Sequence, residues 1–560
     1  MFLSRFYQHK IYCLSIASLL AILPAGCGAP ASRDVSHLLP APTQRLSVAD
    51  EARFLKFLKE TVHSGAAPVS NCDFECQRMR TEFRYVVYVG EQIYAYWDQK
   101  KAETQIDYSA FARSLEERIT NLTTPSEYYL ILREWAAAFR DGHVNVLMKD
   151  DRSDLERYTA DLRLETFAPA AENESLIVVN STLPKLEVGD EVVEINGLNA
   201  AEALTQQEGT VSGSTRRMRR SGAANRLIDV IGIESATKPL RITVKRSTTA
   251  ERVSVDVPRK AILAAPVDDK STDLSEPEKS GIDLIQASIV PGNIGYLRID
   301  GFSGSKSFEL LQQAMDRLSR CSGLILDLRK NGGGDQSGNV ILAQIAGRTI
   351  DRYQVSENLN PYLLHARPSY FGLEREGETG FAQWRPLRVA APSRPAAFKG
   401  KPVFALTSSF CFSACDTFVS ALKVNALGKI YGEATGGGTG SPLVFELPYS
   451  GHSFRYSVVR GRTFKGDWIE GQGTEPDVLV RPQVADRINR SDSQLIRVFS
   501  DMTSELAAAA KTDQSLQLGL QATEQILAQF GHVAAQSLEI PESVRQEKFL
   551  KRISLIDELP

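Results

Sequence analysis

Two segments of this 560-residue chain place residue types in an order that could perform chemistry on an acyl or phosphoryl group. The first is Asp327-Leu328-Arg329-Lys330-Asn331-Gly332-Gly333-Gly334, which leaves the apolar run Leu324-Ile325-Leu326 and enters a glycine-rich turn. Glycines let backbone N–H groups converge without a Cβ in the way, so such a turn can hold an anion. That anion could be a phosphate or the oxyanion of an acyl-transfer intermediate. No Gly-Lys-Ser/Thr follows and the spacing differs from the dinucleotide fingerprint, which disfavours phosphate; plain loop geometry is the remaining alternative. In the second segment, Val403 to Ser408 reads as a strand that runs through Ser409-Phe410-Cys411-Phe412-Ser413-Ala414-Cys415-Asp416 into a helix. A serine at a strand-to-helix transition presents its hydroxyl at the sheet edge, beside the free N–H of the next residue, as a nucleophile needs. Equally, Ser409 or Ser413 could do no more than cap the helix.

The elements around these segments divide the chain. Residues 1–27 read as a signal peptide: Arg5, His9 and Lys10 precede the uncharged, mostly apolar stretch Ile11 to Gly26. It ends at Leu23-Pro24-Ala25-Gly26-Cys27, which resembles a lipobox with Cys27 as the lipidated residue; cleavage near Ala29-Pro30-Ala31 is the alternative. Either reading takes the mature chain out of the cytoplasm, to the bacterial periplasm or cell envelope. A Pro-, Ala- and Ser-rich tether covers 28–45. Residues 46–150 carry helical periodicity, as in Phe54, Leu58 and Val62, and again in Tyr128, Ile131 and Trp135. Strand signals dominate 151–263, a β-rich module, and 264–284 reads as a linker. From 285 to 482 strands and helices alternate, which predicts an α/β layer, with an aromatic, Pro-bearing insertion over 350–400. Residues 483–560 read as helical again.

Composition excludes several functions. Lys and Arg number 65 against 68 Asp and Glu, so no basic excess invites nucleic acid. No run of 18 apolar residues marks a spanning helix, which leaves an N-terminal lipid as the one expected membrane contact. Cys72/Cys76 and Cys411/Cys415 are spaced i, i+4 with no His nearby, so neither pair reads as a zinc site. A disulfide or a pair of buried thiols fits the spacing of Cys72 and Cys76 equally.

Four motifs in order carry a resemblance: Asp327-Leu328-Arg329-x-Asn331-Gly332-Gly333-Gly334, Phe412-Ser413-Ala414-Cys415-Asp416, Gly432-Glu433-Ala434-Thr435-Gly436-Gly437, and Glu470-Gly471-Gln472-Gly473-Thr474-Glu475-Pro476-Asp477. Over roughly 285–482 they resemble the carboxyl-terminal processing serine peptidases, a family that includes tricorn and the interphotoreceptor retinoid-binding protein. The stretch Leu186 to Gly197 is similar to the PDZ modules of these peptidases. The resemblance implies a ClpP/crotonase-like ββα superhelix for the core, no metal or cofactor, and an extended polypeptide as substrate. It implies Ser413 as nucleophile, with Ala414 and a glycine of the turn, Gly333 or Gly334, forming the oxyanion hole. Where one branch of the family has a base lysine, this chain has Gly438. The tricorn-like branch takes its base from an upstream His, which implies His143 of Asp141-Gly142-His143 here, with Glu470 as its orienter and Asp141 as fallback. In tricorn a Ser precedes that His, where this chain has Gly142. A non-catalytic peptide- or lipid-binding protein on the same fold is the alternative, against which the retention of both Ser413 and His143 argues. A crotonase-like acyl-transfer enzyme is a third reading that export disfavours.

Overall fold

The computed structural model describes residues 72–148, 157–170, 173–232, 239–261, 284–304 and 306–509. The expected leader with Cys27, the expected tether, the first part of the expected helical region, nearly all of the expected 264–284 linker and residues 510–560 lie outside them. Among the described residues no helix is long and apolar enough to cross a membrane.

Four helices open the described chain: Phe74–Ile93, Trp97–Thr104, Tyr108–Glu117 and Pro125–Ala138. Side chains of Asp73, Asp107 and Thr124 cap three of them, and Thr124 forms a capping box with Glu127 ahead of Pro125, which satisfies N–H groups that a helix start leaves unpaired. Their apolar faces bring Phe83, Tyr108, Trp135 and Phe139 into one aromatic cluster. That cluster does not close on itself. It continues into Phe445, Phe454 and Tyr456 of a hairpin more than 300 residues later, Leu443–Glu446 with Ser453–Tyr456, and Trp135 Nε1 donates to Tyr456 Oη at 2.7 Å. The strand Asn145–Leu147 then joins the hairpin antiparallel, Val146 opposite Phe454. This docking carries residues 141–144 from the helical region to the edge of the core.

Between 157 and 261 a six-stranded antiparallel sheet has the order Leu162–Ala170, Asn173–Ser181, Glu191–Ile195, Leu240–Lys245, Arg252–Val257, with Leu198–Asn199 paired to Glu191–Ile195 off this order, and with helices Ala200–Glu208 and Arg216–Ile228 it has a core of its own.

The alternation beyond residue 285 builds a six-stranded sheet ordered Ile285–Val290, Ile294–Ile299, Gly323–Asp327, Val403–Thr407, Lys429–Gly432, Val478–Leu479. Its first pair is antiparallel and the rest run parallel. Both central strands are buried at every position, as a parallel sheet covered on two faces requires. Helices Ser307–Leu318, Asn339–Ala346 and Ala414–Val424 pack on one face, and Ser493–Ala509, from the region expected to be a separate C-terminal segment, packs on the other. The 350–400 stretch is likewise part of the frame: Ile350–Glu357 pairs with Arg385–Val389 and with Val459–Arg462. Pro386 and the exposed Arg385 and Arg388 break the alternation in the second of these strands.

Cys72–Cys76 and Cys411–Cys415 are disulfides, and Cys321 is a buried thiol.

Candidate active site

Strand Val403–Thr407 ends at the top of the sheet, and six residues later Ser413 caps the helix Ala414–Val424. Ser413 adopts φ +60, ψ −115, the corner of conformational space that a type II′ turn gives to glycine. The surrounding bonds hold it there. Ser413 N–H donates to Asp416 Oδ2 at 2.9 Å, and Phe412 N–H donates to the Asn331 carbonyl at 3.1 Å. The same Asp416 carboxylate accepts from the N–H groups of Gly437 and Gly438 at 3.0 and 2.8 Å, so one buried side chain ties the Ser413 turn to the loop that follows Thr435. Burial pushes the Asp416 carboxyl up to about 7 against the pull of these donors. The spacing Ser413-x-x-Asp416 is a capping pattern and could have flagged Asp416 from sequence.

The glycine-rich turn lies against this segment. A Cβ on Gly333 (φ +99) would come 2.6 Å from the Phe412 carbonyl oxygen and 3.0 Å from Ala414 N, and one on Gly334 (φ +127) would fall on the Phe302 carbonyl. Both contacts are with backbone, so only glycine fits. Ala414 N–H sits in the first helical turn, where no intrahelical acceptor exists. Gly333 N–H donates instead to Asn331 Oδ1 at 2.9 Å, and Gly334 bridges to Phe302. The turn therefore spends the Gly333 N–H on its own fold, and Gly332, where a Cβ would meet nothing within 4 Å, is the residue that borders open space.

His143 arrives from the other side. Its Nε2 lies 2.9 Å from Ser413 Oγ, across 270 residues of sequence. Its own N–H donates to Asp141 Oδ1 at 2.7 Å, and the hydroxyls of Tyr94 and Ser457 donate to Asp141 Oδ2 at 3.0 and 2.8 Å. His143 Nδ1 is 3.8 Å from Asp141 Oδ1. Burial lowers the imidazole to about 4, Arg455 acts in the same direction, and Asp141 opposes both.

Glu470, the expected orienter, is fully buried and shares a cluster with Asp141 and His143 whose polar atoms lie within 4.8 Å of one another. It makes no hydrogen bond to His143 in this structure. Its Oε2 accepts from Thr439 N–H at 3.0 Å, and Oε1 faces the Lys100 ammonium at 3.4 Å. Burial, with Asp141 close by, holds Glu470 above the ordinary carboxyl range. Lys100 is raised: burial works to lower it, and the carboxylates of Glu470, Asp141 and Glu103 outweigh burial. That ammonium supplies positive charge to the buried carboxylates. Ser214 Oγ accepts from Gly142 N–H at 3.0 Å, so the β-rich region touches the histidine loop. Neither Lys100 nor Ser214 carried any local signal; each is brought in by packing.

Residues 293–480 match the family model described as peptidase family S41. Among solved structures, mature CPAF complexed with lactacystin is similar with a TM-score of 0.58 at 16% identity, over 74% of this chain and 96% of that one. Mature CPAF by itself gives 0.58 at 16%, over 74% and 94%. The photosystem II D1 C-terminal processing protease gives 0.38 at 16%, over 72% and 93%. At this identity CPAF shows that the fold is shared.

Proposed function

The chain belongs to peptidase family S41 through residues 293–480 and is a serine peptidase, and from that premise we propose that Ser413 is its nucleophile and His143 its general base. The observation that carries the reading is the 2.9 Å contact between His143 Nε2 and Ser413 Oγ. In this mechanism the Oγ proton moves to Nε2 as Oγ bonds to the peptide carbonyl carbon, and the oxygen takes up negative charge beside Ala414 N–H. The imidazolium then gives its proton to the leaving amine as the C–N bond breaks. Water repeats the sequence on the acyl-enzyme and frees Ser413. The base typically contributes about 10²- to 10⁴-fold. The substrates are polypeptides in extended form, and the edge strand Leu162–Ala170 beside helix Arg216–Ile228 offers a place for strand addition. Export follows from the leader-like residues 1–27, with Cys27 as lipid acceptor, and the two disulfides support an oxidising compartment.

Labelling with a fluorophosphonate probe tests the reading. The wild-type protein is expected to label at one site, and Ser413→Ala and His143→Ala are each expected to lose that labelling while remaining folded. Folded wild-type protein that never labels would favour a peptide- or lipid-binding protein on this frame.

The pH dependence of labelling carries a further expectation. The base is active when neutral, and a His143 held at about 4 stays neutral well below the ordinary imidazole value near 6.5. The rate should therefore hold down to about pH 5 and fall towards pH 4. Linkage has the same sign: a lowered histidine contributes stability that is present above about pH 6.5 and lost as pH falls through 4. An acid limb centred at 6.5 would contradict the buried, neutral base.

A further inference from the structure

Phe412, the residue before the proposed nucleophile, lays its ring on the imidazole of His143, with centroids 4.6 Å apart and planes at 37°. Three glycines make room for it. A Cβ on Gly142 would come 2.5 Å from Phe412 Cζ, one on Gly436 would come 2.9 Å from Cδ2, and one on Gly438 would fall inside the ring edge at Cε2 and Cζ. None of these three has a positive φ, so backbone freedom does not explain them; the ring's volume does at Gly142 and Gly438, whereas at Gly436 the Ser409 carbonyl oxygen, 2.6 Å from such a Cβ, is nearer than the ring. The ring is also fixed from its own chain. Its N–H is bonded to Asn331, and the Cys411–Cys415 disulfide brackets residues 412–414.

From this seat we infer that Phe412 is a positioning residue that seals one face of His143 and holds its Nε2 on Ser413 Oγ, while filling the space any side chain at position 438 would need. The inference rests on the Ser413–His143 reading. It also accounts for which base this chain uses, since a lysine at 438 and the Phe412 ring cannot occupy the same volume.

Two effects of the ring on the imidazole oppose each other. Excluding water from the ring face disfavours the charged form, by as much as several pH units at full burial. An aromatic face also attracts a cation, which in a desolvated site is worth about 2 kcal/mol, or about 1.5 pH units. Exclusion of water is the larger effect. The charged groups facing His143 are Asp141, Arg455 and Glu470, with Lys100 behind Glu470. Changing Phe412 alters none of these four side chains, so a shift in the profile is read against an unchanged set of charged residues.

The experiment measures the rate of fluorophosphonate labelling against pH for wild type, Phe412→Ala, Gly438→Ala and His143→Ala, with thermal unfolding as the check on folding. In Phe412→Ala the rate at pH 7 is expected to fall about 10- to 100-fold, as a misplaced base would cause, and the acid limb to rise by more than one pH unit. Gly438→Ala pushes the ring aside without truncating it and should move the limb in the same direction, so the test survives a Phe412→Ala protein that does not fold. A limb within 0.3 pH units (an order-of-magnitude tolerance, about a factor of two) of wild type in the folded variants would overturn the inference, as would a lower melting temperature with an unmoved limb. If His143→Ala labels as fast as wild type, it is the Ser413–His143 reading that falls.

Discussion

A Ser413→Gly protein is expected to lose about 10⁴-fold or more in kcat/KM and yet to unfold less readily than Ser413→Ala. Both variants remove the hydroxyl, and with it the bond that would form to the substrate carbonyl; loss of a nucleophile leaves only binding and oxyanion stabilisation. They differ in the backbone. At φ +60 and ψ −115 any residue with a Cβ is strained, at a cost of about 1 to 3 kcal/mol. Alanine keeps that strain and glycine removes it. Against this stands the greater freedom of glycine in the unfolded chain, about 0.5 to 1 kcal/mol, so the glycine variant should be more stable than the alanine variant by about 1 kcal/mol. Denaturant unfolding of the two, compared with each other rather than with wild type, measures the difference. An alanine variant at least as stable as the glycine one would mean that the turn at Ser413 is not strained. The hydrogen bonds from Ser413 to Asp416 and from Phe412 to Asn331 are what sustain this conformation.

The second large effect is expected at Asp141. Three donors converge on its buried carboxylate: His143 N–H and the hydroxyls of Tyr94 and Ser457. Asp141→Ala leaves all three without their acceptor, and each buried orphan costs about 1 to 3 kcal/mol. The variant should lose about 3 kcal/mol or more and, by freeing the histidine loop, roughly 10³-fold in kcat/KM. Asp141→Asn keeps one acceptor oxygen and should fold better while remaining poorly active. Glu470→Gln makes the informative comparison. Glu470 is bonded to Thr439 N–H and faces Lys100, one step further from the imidazole, so its amide should cost less activity than that of Asp141. A Glu470→Gln protein more impaired than Asp141→Asn would return the orienting role to Glu470.

How much of this was legible in the sequence follows the distance over which each interaction acts. The nucleophile segment and the glycine turn are local features: a strand, a turn that needs positive φ, and a capping residue all lie within a few positions of each other, which is the range where spacing carries information. The alternation beyond 285 was readable because buried parallel strands are short apolar runs. The 350–400 stretch reads as an insertion because Ile350–Glu357 pairs with Val459–Arg462, about a hundred residues away, and the edge strand Arg385–Val389 tolerates a proline and charges that hide its pattern. His143 became a candidate only through the resemblance, since a histidine at a helix end has no periodic signature.

By itself the sequence determined that a serine would sit at the head of a helix and that a glycine-rich turn would follow an apolar strand, because each of those patterns is confined to a few neighbouring positions. Only the tertiary structure decided what surrounds that serine. The aromatic cluster shared by the first helices and the 443–456 hairpin delivers His143 to Ser413. It also encloses Lys100 and two carboxylates in one dry site and leaves three glycines around Phe412. Which carboxylate lies beside the imidazole, and how far its proton affinity falls, depends on burial and on distances of a few ångströms between residues hundreds of positions apart. Burial of that kind is a property of the packed molecule, and no window of sequence contains it.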